Sequence, residues 1–243
     1  MSKRRCSECD QVFYKSTCTT QSFMYHVSAC KRGRINNPFG LSNPSKRFAI
    51  ILADPPWQYK SDKGLHGCAG DKYPTMALDD ICRLPVGEAL AAENCALLMW
   101  TTGPFLESAF KVISNWGFTY KTTMWVWVKR RRTGNVHCGM GRYTRSACEY
   151  CLLGVRGNVS RWRQSASISQ LIEAESPAMP IVTDDPDATC IVDAEIREHS
   201  RKPDIVFDVI SKFFPEELPR IELFSREPRP GWARWGNDIH RFD

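Results

Sequence analysis

No apolar run in the 243-residue chain approaches the roughly 18 residues that a membrane-crossing helix needs, so the sequence predicts no transmembrane segment. The start, MSKRRCSECD, is basic but has no apolar stretch behind it, which argues against a secretory signal and sets an intracellular expectation. Internal repeats and low-complexity tracts are missing, which excludes a solenoid and a disordered scaffold. The GMG at Gly139 to Gly141 lacks the third glycine and the following helix of a dinucleotide fingerprint, so that class is set aside. Acid is scarce in two places. Residues 1–34 hold seven Lys and Arg against Glu8 and Asp10, and residues 129–145 hold six with no acid at all.

What is present fits one α/β domain of ordinary size with a small appendage. The net charge of +6 comes from those two basic stretches, because the remainder of the chain is acidic. Two basic patches on an acidic body point to a polyanionic partner, and nucleic acid is the expected one. Eleven cysteines is an odd and high count, which fits a reducing compartment better than a disulfide framework. Most of them are expected in the core as small apolar groups.

Four need another reason. Cys6 and Cys9 are spaced for a tight turn, and His26 and Cys30 for one helical turn, so two thiolates, an imidazole and a third thiolate can close a tetrahedral zinc site. Phe13 and Phe23 stand where such a module places its apolar side chains. The head, 1–34, thus resembles a zinc finger, though the span between Cys9 and His26 exceeds the usual dozen residues and Cys18 within it could compete as a ligand. A head this short cannot fold on an apolar core alone, so a metal is its natural stabiliser. INNPFGLSNPSK follows and, with its Asn, Pro, Ser and Gly, predicts a linker over 35–47.

The body, 48–243, alternates in type. FAIILAD predicts a strand, Leu78 to Ala92 a helix, CALLMWTT a strand, Pro104 to Trp116 a helix and TTMWVWVK a strand. ACEYCLLGV and CIVDAEI follow, then a helix in KPDIVFDVISKFF with Pro203 at its first position, and the strand RIELFSR. Alternation of this kind predicts a three-layer α/β fold with a mostly parallel sheet. Between Ile168 and Glu195 lies an acidic segment with poor periodicity, which reads as an exposed insertion.

The first of these strands ends on Asp54 and runs straight into Pro55, Pro56 and Trp57. Ligands of open α/β sheets gather beyond the carboxyl ends of the strands, so the Asp54 carboxylate belongs at the mouth of a site. The prolines have no N–H and fix the direction of the carbonyls, which gives an array of acceptors suited to an exocyclic amine. Trp57 offers a flat face on which a base can stack. An adenine or cytosine amino nitrogen is a poor nucleophile because its lone pair is delocalised. Acceptors that hold both hydrogens favour a tetrahedral nitrogen able to attack a methyl group.

The ordered motifs ADPPW, YPTM, LLMWTT, WGF, WVK, GMGRYTR, CEYCLLGVRG, HSRKPD, IELFSR and GWARWGND resemble the MT-A seventy family of S-adenosylmethionine-dependent N6-adenine methyltransferases. Their wording and spacing are closer to its bacterial and phage DNA enzymes than to the eukaryotic RNA writer. The resemblance implies a Rossmann-like methyltransferase fold with circularly ordered motifs. It implies Asp54, Pro55, Pro56 and Trp57 as the catalytic motif, and a cofactor site of Lys202, Glu222, Phe224, Arg226, Asn237 and Asp238. Tyr73, Glu149 and Ser200 would lie near the target base. Arg130, Arg131, Arg132, Arg142 and Arg145 read as a basic grip on the phosphate backbone, which positions a nucleic acid without reading it.

An isolated carboxylate in an apolar strand is costly, so Glu222 is expected to pair with Arg226 or with ribose hydroxyls. Lys202 is expected at a helix N-terminus, where a cation opposes the macrodipole unless a carboxylate is near. A duplex target would have to be flipped out of the stack. DNA is the favoured partner; the same reaction on RNA, a cytosine target and an inactive nucleic-acid-binding subunit remain alternatives, and a homo- or hetero-oligomer is left open. The expected place is the cytoplasm or nucleoid, or the host cytoplasm for a phage enzyme. As purified, the full chain should carry one zinc ion per molecule; metal analysis of Cys6→Ser should show it lost, and an active wild-type preparation free of zinc would remove the metal site.

Overall fold

The computed structural model describes residues 3–5, 12–14, 39, 41, 43, 45–58, 75–130, 135–138, 143–172, 194–195 and 202–236; for 3–5, 12–14, 172 and 194–195 this covers the backbone only. Near the start, β1 (Lys3–Arg5) pairs antiparallel with β2 (Val12–Tyr14), Lys3 opposite Tyr14. The body is built from β3 (Phe48–Ala53), α1 (Leu78–Cys82), α2 (Val86–Ala89), β4 (Ala91–Thr101), α3 (Leu106–Asn115), β5 (Thr119–Arg130) and β6 (Cys148–Arg156). It continues with β7 (Leu171–Ile172), β8 (Ala194–Glu195), α4 (Ile205–Phe213), β9 (Arg220–Leu223) and β10 (Trp232–Trp235).

These strands form one sheet in the order β10-β9-β3-β4-β6-β5-β7, with β8 also on β5. β10, β9, β3 and β4 run parallel. β7 and β8 run parallel to β5, and β6 lies antiparallel to both β4 and β5, so the described sheet is mostly parallel as expected, with β6 reversed within it. The physical reason is connection length: β5 needs α3 to return parallel to β4, and β6 then turns back from β5 to fill the space between them.

Successive residues of β4 supply opposite faces: Cys95, Leu97 and Met99 join one core, and Ala96, Leu98 and Trp100 the other. Ile81, Val86, Ala109, Val112 and Ile113 of α1, α2 and α3 cover the first face; Val206, Val209 and Ile210 of α4 cover the second. The three layers follow from this, and so does the continuous apolar run of β3, which is buried on both sides. No helix among the described residues is long and apolar enough to cross a membrane.

The helix expected from Leu78 to Ala92 is two short ones, and β4 starts at Ala91. Pro85 cannot donate a backbone hydrogen bond and disfavours helical geometry at Leu84, so it divides the segment. At the other helix of that face the WGF motif is a stop signal. Gly117 adopts φ +78°, its N–H donates to Ser114 O at 3.0 Å and the Phe118 N–H donates to Ile113 O at 3.0 Å, a Schellman closure. Trp116 then donates its indole N–H to Ile81 O at 2.9 Å and ties α3 to α1. At α4, Pro203 lies ahead of the helix rather than at its first position; its carbonyl accepts from Val206 N–H at 3.2 Å. Phe39, within the stretch read as a linker, is buried against Trp235 with ring centroids 5.0 Å apart.

Helix α3 lies close to β6 at Gly154, where an added Cβ would meet Ile113 Cγ2 at 3.1 Å and Phe118 Cβ at 3.2 Å. Gly154→Val should cost about 1–3 kcal/mol through overpacking, read as a lower denaturant midpoint with an unchanged slope.

Candidate active site

Asp54 follows the last residue of β3, and its N–H points to Leu223 O of β9 at 3.5 Å. From β3 the chain crosses to β4 on one side, while β9 and β10 lie on the other, so Asp54 stands where the strand order reverses. Such a switch point opens a crevice at the carboxyl ends of the parallel strands.

The next three residues are more tightly held than their sequence suggests. Trp57 N–H donates to Pro55 O at 2.8 Å, and Met76 N–H donates to Pro56 O at 2.8 Å. The proline carbonyls therefore already have donors, which corrects the expectation of a wholly uncommitted acceptor array; each keeps one lone pair for a ligand. Trp57 is 6% exposed, lies parallel to Phe105 at 5.5 Å between centroids and donates its indole N–H to Trp100 O at 3.3 Å. It is a packed wall that braces the turn, not an open platform for a base.

Four charged side chains converge beyond this turn. Lys202 Nζ lies 2.6 Å from Asp54 Oδ2 and 3.2 Å from Glu149 Oε2, while Lys129 Nζ lies 2.5 Å from Glu149 Oε1. They come from the segment ahead of α4, the end of β3, β6 and β5. Lys202 also sits over the Trp100 ring at 5.7 Å, and Lys129 over Trp127 at 5.3 Å. Lys202 thus answers two protein carboxylates rather than only a helix dipole. Burial disfavours its charged form, but Asp54 and Glu149 outweigh that and raise its pKa. For Glu149 burial alone would raise the pKa; Lys202 and Lys129 reverse the sign and hold it below the ordinary carboxylate range.

On β9, Glu222 is pushed up to about 7 by burial, opposed by the Ser225 hydroxyl and the Arg229 charge. Ser225 Oγ donates to Glu222 Oε2 at 3.0 Å. Arg229 also holds Asp204 at 2.5 Å and Glu227, which ties the loop after β9 to the start of α4. Between Glu222 and Ser225, Phe224 takes φ +63°, a left-handed conformation that is strained for a bulky residue. Its ring is held edge-on by Trp235 at 5.3 Å, and Ser225 N–H donates to Trp235 O at 3.0 Å.

Of the residues expected at the site, the structure gathers Asp54, Pro55, Pro56, Glu149 and Lys202, with Glu222 and Phe224 on the neighbouring strand end. Arg226 follows in the same loop, Arg130 ends β5 and Arg145 is exposed ahead of β6. Tyr73, Arg131, Arg132, Arg142, Ser200, Asn237, Asp238 and all four expected zinc ligands, Cys6, Cys9, His26 and Cys30, lie outside the described residues. Among the described residues no His, Cys, Asp and Glu cluster could hold a metal ion. Sequence reasoning counted Lys129 only in the basic stretch read as facing a polyanion, and gave Ser225 no role. The signal was there for Lys129: a cation two positions after Trp127, on the same face of an apolar strand.

The MT-A70 (MT-A seventy) family profile matches residues 48–238. The chain is 33% identical to the type II methyltransferase M.MunI of Mycoplasma sp over 213 residues, 81% of this chain and 79% of that protein. It is also similar to the human N(6)-adenine-specific methyltransferase METTL4, 29% identical over 83% of this chain and 39% of that protein. The human N(6)-adenosine-methyltransferase catalytic subunit METTL3 is 26% identical over 79% of this chain and 28% of its own length.

Between about pH 4, where an unfolded glutamate titrates, and the folded value of about 7, the folded chain keeps a proton on Glu222 that the unfolded chain releases. Stability is therefore lost as pH rises through that window. Glu222→Gln should raise the melting temperature by a few degrees at pH 8 and leave it nearly unchanged at pH 4; equal shifts at both values would assign Glu222 an ordinary pKa.

Proposed function

The chain belongs to the MT-A70 family, and on that premise we propose that it transfers a methyl group from S-adenosylmethionine to the N6 amino group of adenine in DNA. The observation that carries the reading is Asp54 at the strand switch point: one carboxylate oxygen is engaged by Lys202, and among the described residues the other is without a partner. That arrangement suits an uncharged amine. A fixed carboxylate oxygen and the second lone pair of a proline carbonyl can accept the two amino hydrogens, while Trp57 and Phe105 keep the turn from shifting.

The donor set fits the cofactor. Lys202 and Lys129 balance Asp54 and Glu149, so Glu222, whose pKa is pushed up to about 7, is the group whose ionisation a bound cation would favour, and S-adenosylmethionine carries a net positive charge. When bound, it supplies an electrophilic methyl group. Lys202, Glu222, Phe224, Arg226, Asn237 and Asp238 are the residues to hold it, with Glu222 suited to hydroxyl groups because it already accepts one from Ser225. Asp54 acts as an acceptor that draws the amino nitrogen towards tetrahedral geometry. It need not be a strong base, because the nitrogen's proton becomes acidic once the methyl group has been transferred.

Tyr73, Glu149 and Ser200 are proposed to border the flipped adenine, and Arg130, Arg131, Arg132, Arg142 and Arg145 to hold phosphates. The strand order, with one antiparallel strand inserted beside a parallel set, supports a Rossmann-like methyltransferase fold with the catalytic motif early and the cofactor motifs late. In the head, zinc is proposed on Cys6, Cys9, His26 and Cys30; the pairing of β1 with β2 supports this, since both first cysteines fall in their connection. DNA is favoured by the similarity to a type II methyltransferase over most of its length. The same reaction on RNA is the second reading, favoured by the similarity to N(6)-adenosine methyltransferases.

Incubation with labelled S-adenosylmethionine and separate DNA and RNA pools, followed by nucleoside analysis, should give N6-methyladenine from DNA. Product from RNA alone would overturn the substrate, and methylcytosine the target base. Asp54→Ala should lower turnover roughly 100-fold or more with nucleic-acid binding retained; wild-type rates in that variant would remove Asp54 from its role.

A further inference from the structure

The charges at the site form a line that reaches beyond the groups needed for an amine and a cofactor. Lys129 on β5 holds Oε1 of Glu149, Lys202 holds Oε2, and the same lysine holds Oδ2 of Asp54. Trp127 is the residue directly opposite Glu149 in the β5–β6 ladder, so Lys129, two positions on, shares its face and reaches Glu149 across the diagonal. The Glu149 side chain is 7% exposed and that of Lys129 27%. Although Lys129 opens the run of Arg130 to Arg132, its ammonium is turned to the buried carboxylate rather than out to a phosphate.

We propose that Lys129 is a positioning residue for methyl transfer: by occupying one oxygen of Glu149 it leaves the other for Lys202, and so sets Lys202 against Asp54. This rests on the methyltransferase reading of the site. With both lysines present each carboxylate oxygen of Glu149 has its own partner. Without Lys129 a nearly buried carboxylate has one counter-charge for two oxygens, and two outcomes are open to it. It draws Lys202 away from Asp54, or it takes up a proton and releases Lys202 altogether. Either outcome disturbs the carboxylate that meets the target amine, although Lys129 touches neither the amine nor the cofactor.

Among the described residues, few charged or titratable groups act on Glu149. Lys129 faces it from β5 and Lys202 from the segment ahead of α4, while Asp54 at the end of β3 acts on it through Lys202. On β6 itself the Cys151 thiol is buried, and its pKa lies well above the ordinary value, so it carries no charge near neutrality.

The test uses the full chain with Lys129→Met, Lys129→Arg and Lys129→Gln, the last standing in if the methionine variant does not fold. Lys129→Met should lower kcat about ten-fold or more with KM for DNA little changed, and Lys129→Arg should restore most of it. In a Glu149→Gln background the Lys129 substitution should add almost nothing, because its effect runs through that carboxylate.

One readout needs no activity. The melting temperature lost in Lys129→Met should be largest near pH 7 and shrink as pH falls through the carboxylate range, since a protonated Glu149 requires no counter-charge. A loss confined to KM with a shallower salt dependence would make Lys129 a phosphate contact and overturn the proposal. So would an unchanged kcat, or a melting deficit independent of pH and shared by the arginine variant. If the wild type methylates neither DNA nor RNA, the methyltransferase reading fails instead, and the pH dependence of melting still decides whether Lys129 governs Glu149.

Discussion

The rest of the site depends on one cation shared between two carboxylates. Lys202 lies between Asp54 and Glu149, and without it two acidic groups from different strands would face each other at the mouth of the crevice. Burying such charges yields little net stability, because desolvation offsets most of the Coulombic gain. Geometry is what the arrangement secures. Asp54 is held in one orientation with one oxygen engaged, and the segment ahead of α4 is pinned to the ends of β3 and β6.

That pinning links layers that would otherwise be independent. α4 packs on one face of the sheet, while the turn after Asp54 rests on the other through Trp57 and Phe105. Arg229 adds a second tie, from the loop after β9 to Asp204 at the start of α4. The crevice therefore has two walls, each fixed by an ion pair near the N-terminus of the same helix. The strained turn at Phe224 fits this picture, because Trp235 packing holds a conformation that the residue would not adopt alone and brings Ser225 to Glu222.

Much of the fold was legible. β3, β4, β6 and α4 lie where apolar runs and helical spacing placed them, because an apolar surface has to be buried whatever its neighbours are. The split at Pro85 was also in the sequence, but apolar spacing on both sides of the proline imitated one continuous helix. The antiparallel β6 was not legible, since ACEYCLLGV is apolar on both faces and carries no mark of direction. Phe39 shows the same limit: an aromatic among Asn, Pro and Ser reads as linker until Trp235 is found beside it.

Asp54 could be singled out from the sequence alone because a carboxylate at the end of a buried strand, followed by two prolines, has few structural uses. The chemistry of a buried charge is local, and residue order records it. Its partners are not recorded in that way. That Lys202, some 148 positions away, meets Asp54, that Lys129 answers Glu149, and that Ser225 rather than only a ligand answers Glu222 were decided by the sheet order and by side-chain reach. Electrostatic pairing acts over a few ångströms of space, and only the folded chain sets which charges share them.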